Sequence, residues 1–120
     1  MEELRVCYLL HRLHASGAAP SGYQVLKLAT RGSARLLGRE DIGSLEVGKC
    51  ADFFLVDSRR LELTGAEYSP ADALATMGLR GPVDWTVVNG RVVVREGRLV
   101  SVDEERGVEE ARACCRAYLS

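Results

Sequence analysis

The stretch Trp85-Thr86-Val87-Val88-Asn89-Gly90-Arg91-Val92-Val93-Val94 constrains the fold more than any other part of this chain. Two runs rich in β-branched residues flank Asn-Gly, the dipeptide that accepts positive φ at both centres of a type I′ turn. The pattern predicts an antiparallel hairpin with its register set by the turn. Glu96-Gly97 then reverses the chain into another short strand, Leu99 to Val102. Upstream, Ala51-Asp52-Phe53-Phe54-Leu55-Val56-Asp57 reads as a strand with apolar residues on both faces and acidic residues near its ends.

Helices flank these strands. Glu2 to Ala15 reads as a helix with Val6, Leu9, Leu10 and Leu13 at i, i+3, i+4 and i+7, a core-facing stripe. Leu4, Cys7 and Tyr8 add apolar surface on its other side, so this helix expects neighbours on two faces. Gly17-Ala18-Ala19-Pro20 breaks it. Ser21, with Gln24 three residues on, makes a capping-box pattern for a helix carrying Val25, Leu28 and Ala29 on one face. Thr30 reads as the cap of a further short helix, Arg31 to Leu37, which Gly38 stops. Pro70 to Met77 suits a short helix with proline in its first turn, and Arg59 to Ser69 gives no clear pattern. Glu104 to Leu119 reads as a helix with Val108, Ala111, Cys115 and Leu119 inward. The order is helices, strands, helix, an α+β arrangement with no internal repeat.

At 120 residues the chain has the length of one ordinary domain, and 47% apolar with 28% charged residues is the balance of a soluble globular protein. The formal net charge is −1 and the basic residues are scattered, so electrostatics gives no reason to expect nucleic acid or an acidic membrane as partner. The first residues lack the pattern of a signal peptide, and no apolar run approaches the roughly 20 residues that span a bilayer. A reducing, cytoplasmic setting is the expectation. The four cysteines, Cys7, Cys50, Cys114 and Cys115, form no C-x-x-C pair, and the adjacent Cys114 and Cys115 suit no ordinary disulfide. All four read as free thiols, with Cys114 and Cys115 on the inner side of the last helix.

Three segments, in this order, resemble the C-terminal end of the amidohydrolase superfamily. The first is Leu28-Ala29-Thr30-Arg31-Gly32-Ser33-Ala34-Arg35-Leu36-Leu37-Gly38, similar to the helix pair that follows the catalytic barrel. The second runs from Ile42-Gly43-Ser44-Leu45-Glu46-Val47-Gly48-Lys49 to Asp57, similar to the point where such chains leave the barrel for a small β-sandwich. The third, Val87 to Leu99, is similar to the last hairpin of that sandwich. The resemblance implies an α+β piece: residues 1–40 as the last helices of a (β/α)₈ barrel, 41–103 as part of the sandwich with a short helical insertion, and 104–120 as a C-terminal helix. Leu61-Glu62-Leu63-Thr64-Gly65 with Pro70-Ala71-Asp72-Ala73-Leu74 resembles the 8-oxoguanine and hydroxyatrazine-type deaminases.

For a full-length parent, the resemblance implies a divalent metal, usually zinc, that activates water to attack a ring carbon and expel ammonia from a purine-like or triazine ring. It also implies that the metal ligands lie outside this chain, so no residue here is assigned as catalytic, cofactor-binding or metal-binding. The chain alone is expected to be inactive, with the remainder of the amidohydrolase chain as its partner and with homodimers or other self-association when expressed alone. His11 and His14, spaced i, i+3 on a helix, read as surface or packing residues, because a catalytic metal needs at least a third ligand. Asp52 and Asp57 read as structural. Gly43 to Gly48 lacks the Gly-Lys-Ser/Thr ending of a phosphate loop. Two alternatives stand beside this reading. One is a free-standing, non-catalytic binding domain. The other is the end of a cyclic-amide hydrolase, imidazolonepropionase-like or dihydroorotase-like, because specificity resides in barrel loops rather than in the sandwich.

Overall fold

The computed structural model describes residues 2–79 and 81–119. Three helices form one part: α1 (Glu2–Ala15), α2 (Gly22–Lys27) and α4 (Pro70–Thr76) pack against one another. α2 runs on through a wide turn, Leu28–Gly32, into α3 (Ser33–Leu36). The strands β1 (Phe53–Leu55), β2 (Trp85–Val88), β3 (Arg91–Arg95) and β4 (Arg98–Leu99) make one antiparallel sheet in the order β1-β2-β3-β4. The final helix, α5 (Glu104–Leu119), follows β4.

Local chemistry accounts for most of the boundaries. The Ser21 hydroxyl accepts from the Gln24 N–H (3.3 Å) while the Gln24 side chain accepts from the Ser21 N–H (2.8 Å), the reciprocal pair that satisfies two free donors at a helix start. At the other end, Gly38 takes φ +66°, its N–H donates to Arg35 O, and the Arg39 N–H donates to Ala34 O, both at 3.0 Å. These are the two bonds of a Schellman stop. Asn89 (φ 48°) and Gly90 (φ 74°) turn β2 into β3 with positive φ at both centres, as the dipeptide predicts. The register slips between Thr86 and Val87, leaving Val93 opposite no β2 residue, and its carbonyl accepts from Val100 N–H at 3.0 Å instead.

Several expectations fail. The stripe Val6, Leu9, Leu10, Leu13 is exposed (48–77%), and the half-buried residues of α1 are Leu4, Arg5, Cys7, Tyr8 and Ala15. α1 therefore turns its other face to α2 and α4. Thr30 caps nothing: its hydroxyl donates back to Leu26 O at 2.8 Å within a continuous helical run, the back-bonding that a mid-helix threonine adopts. Leu28 and Ala29 are exposed, and of that expected face only Val25 is buried. The strand expected over Ala51–Asp57 shortens to Phe53–Leu55 and is not buried on both faces, since Phe54 and Leu55 are exposed. Instead of a strand over Leu99–Val102, β4 is Arg98–Leu99. The α5 residues Val108, Ala111, Cys115 and Leu119 are exposed rather than inward, and so is Cys114.

The core is correspondingly small: Val25, Ala34, Leu63, Ala73, Ala75 and Leu79. A radius of gyration of 17.7 Å exceeds the roughly 14 Å of a compact domain this long. Helices and sheet are both present, but the Val6–Leu13 stripe of α1, the apolar stripe of α5 and the outer edge of β1 have no cover among the described residues.

Candidate functional site

His11 and His14 lie on the exposed side of α1, where with Glu3, Val6, Cys7 and Leu10 they line an open hollow of about 510 Å³. Helical spacing sets them one turn apart. No cluster of three or more His, Cys, Asp or Glu side chains among the described residues is placed to hold a metal ion. A zinc centre needs three protein ligands or more, so the residues present here do not fit one.

The aspartates are engaged as fasteners. Asp52 Oδ1 accepts from Asn89 N–H at 2.6 Å and ties β1 to the hairpin turn. Asp57 takes both the Arg59 backbone N–H (3.0 Å) and its guanidinium (2.8–2.9 Å), and the Arg59 side-chain bond leads in drawing its carboxyl down to about 2. Asp84 accepts the Asp57 N–H at 2.6 Å and the Arg60 guanidinium at 2.8 Å. These hold it below the usual carboxylate range, the backbone bond contributing most. Asp72 joins the two helical starts: it accepts from Ser69 Oγ and from Gly22 N–H, each at 2.7 Å, and both bonds lower its pKa, the hydroxyl first. Arg39 and then Cys50 push Asp41 far below the usual range, while the bond from Cys50 Sγ to Asp41 raises the thiol.

The four carboxyl shifts all favour fixed negative charge. A general acid needs the opposite, a carboxyl raised toward neutrality. Asp41, Asp57, Asp72 and Asp84 are thus suited to bracing loops. Asp52 and Asp57 were legible as structural from their places at the strand ends. Asp72, Asp84 and Arg60 were not singled out. Ser69-Pro70-Ala71-Asp72 does carry a signal, a serine followed three residues later by an acid at a helix start. Asp84 carries none, because its partners lie 24 and 27 residues away.

The comparison with known families decides what this scaffold is part of. The model of the amidohydrolase family matches residues 1–93. The chain belongs to the amidohydrolase family. It is 46% identical over 115 residues to hydroxydechloroatrazine ethylaminohydrolase of Pseudomonas sp. (strain ADP), covering 93% of this chain and 23% of that relative. It is 41% identical over 123 residues to a 5-methylthioadenosine/S-adenosylhomocysteine deaminase of Desulforudis audaxviator (strain MP104C), covering 99% and 28%. Among solved structures, atrazine chlorohydrolase TrzN from Arthrobacter aurescens TC1, complexed with zinc, superposes with a TM-score of 0.83 at 37% identity. That match covers 92% of this chain and 25% of TrzN. A zinc-bound adenosine deaminase from Xanthomonas campestris gives 0.80 at 30% identity, covering 93% and 26%. The chain thus spans about a quarter of the length of the relatives it matches. No described helix of this amidohydrolase chain is long and apolar enough to cross a membrane.

Proposed function

We propose that this chain is the scaffold end of a metal-dependent amidohydrolase that hydrolyses a carbon–nitrogen bond, deaminating a purine-like or triazine ring. Residues 1–40 supply the last helices against a (β/α)₈ barrel, 41–103 supply part of a small β-sandwich, and 104–120 supply a closing helix. One observation carries the reading: nearly the whole chain superposes on a quarter of a zinc-bound triazine hydrolase, while Asp52 and Asp84 brace its own backbone and no cluster of three or more His, Cys, Asp or Glu among the described residues is placed to hold a metal. The bare Val6–Leu13 stripe and the open edge of β1 supply surface for the remainder of such a chain to cover. The metal, held elsewhere in that chain, would supply an activated water. The part of these residues is to hold the neighbouring elements in place. Left by itself, the chain is inactive and self-associates through the same surfaces.

A chimera tests this. Residues 1–120 replace the corresponding quarter of the Arthrobacter enzyme, and zinc-dependent triazine hydrolysis is measured beside the 120-residue chain alone. The expected result is activity in the chimera and no ammonia release by the chain alone from guanine, 8-oxoguanine or hydroxytriazines. A soluble, folded chimera without activity, or ammonia release by the chain alone, refutes the assignment.

A further inference from the structure

Lys27, Arg31 and Arg35 recur at every fourth position along the helical run from Gly22 to Leu36, and Arg39 follows four residues on, just past the Gly38 stop. Lys27, Arg31 and Arg35 line a hollow of about 250 Å³. Arg31, Arg35 and Arg39 line a second, of about 330 Å³, together with Lys49, Glu40 and Glu46 from the following loop. Like charges four residues apart repel across a helix face. The acids answer only part of that charge. Glu46 lies 3.4 Å from Arg31 and 3.7 Å from Lys49, and Arg39 is paired with Asp41. Lys27 and Arg35 have no side-chain hydrogen bond or ion pair among the described residues. Arg35 borders both hollows, so an unpaired forked donor stands at the centre of the ridge.

We propose that the Lys27–Arg31–Arg35 ridge, closed by Arg39 and Lys49, binds a small phosphate-bearing anion, with the Arg35 guanidinium as its principal donor. A guanidinium presents paired N–H groups matched to two oxygens of a tetrahedral oxyanion, and the flanking cations add charge from either side. A bound anion also removes the repulsion between neighbouring cations of the ridge. The proposal rests on side chains of this chain alone, and its test is independent of the proposed function.

Pyrophosphate is titrated into the 120-residue chain at constant ionic strength, with amide NMR shifts followed along Lys27–Arg39. Saturable binding is expected, weakened about tenfold by Arg35→Gln, as loss of a charge-assisted bond implies. Arg35→Lys, which keeps the charge and loses the fork, should fall between. Arg91→Gln, on the hairpin, should bind as the parent does. Because Arg35 is exposed and its side chain has no hydrogen bond or ion pair among the described residues, its replacement is expected to leave the fold intact, which far-UV circular dichroism checks. Arg31→Gln provides a second variant expected to weaken binding. Adenosine monophosphate and inorganic phosphate in parallel tell a phosphate ester from the free ion. Non-saturating shifts, or equal effects of Arg35→Gln and Arg91→Gln, would show diffuse ionic screening only and overturn the proposal.

Discussion

Replacing Gly22 by alanine sets two effects of opposite sign against each other. Gly22 is the first residue of α2, and helix propensity favours alanine over glycine by at most about 1 kcal/mol. Yet an added Cβ would lie 2.5 Å from Asp72 Cα, 2.5 Å from Asp72 Oδ1 and 2.9 Å from Ala71 O. Two of these three atoms are α4 backbone and cannot rotate away, so α2 and α4 must separate. Overpacking of this kind costs about 2–3 kcal/mol, and separation also stretches the Gly22 N–H to Asp72 bond. The steric effect wins, leaving a net loss of about 1–2 kcal/mol. For a chain this long that lowers Tm by roughly 4–8 °C. Thermal and urea unfolding followed by circular dichroism measure it. Gly107→Ala is the control: nothing lies within 4 Å of its added Cβ in α5, so only the propensity gain remains. A Gly22→Ala chain as stable as its parent, or more so, would refute the α2–α4 packing described above.

Two further outcomes are expected. Ser21→Ala, which removes half of the capping box, should cost about 1 kcal/mol in urea unfolding, and Ser21→Asn should restore most of it. In acid, Asp41, Asp57, Asp72 and Asp84 all have folded pKa values below their unfolded ones. The stability they confer is full above the unfolded value near 4 and is lost as pH falls through the folded values, for Asp57 about 2. Unfolding free energy should thus decline between about pH 4 and pH 2, and a flat profile there would contradict the bracing role of these carboxylates.

The sequence by itself determined whatever is settled within a few residues. α1 ends where Gly17 and Pro20 predict, and the Ser21–Gln24 cap, the Gly38 stop, the Pro70 helix start and the Asn89-Gly90 turn all form as read. Each depends on backbone dihedrals or hydrogen bonds spanning four or five positions, so its cause lies inside the window being read. The family was legible too, in ordered motifs built on those same turns.

Only the tertiary structure decided which surfaces are used. Periodicity showed that α1 has two apolar sides but not which one meets α2 and α4, because that choice depends on what else is present to pack. It likewise gave α5 an apolar stripe without supplying a neighbour, and among the described residues none covers it. The braces that hold the loops join residues far apart in sequence: Asp72 to Gly22, Asp52 to Asn89, Asp84 to Asp57 and Arg60. Such contacts leave no local pattern, since a carboxylate 27 or 50 residues from its donor is placed by the fold and not by its neighbours in the chain. The basic ridge lies between these cases. Its four-residue spacing was in the sequence from the start, but only the folded chain shows Arg35 unpaired between two hollows.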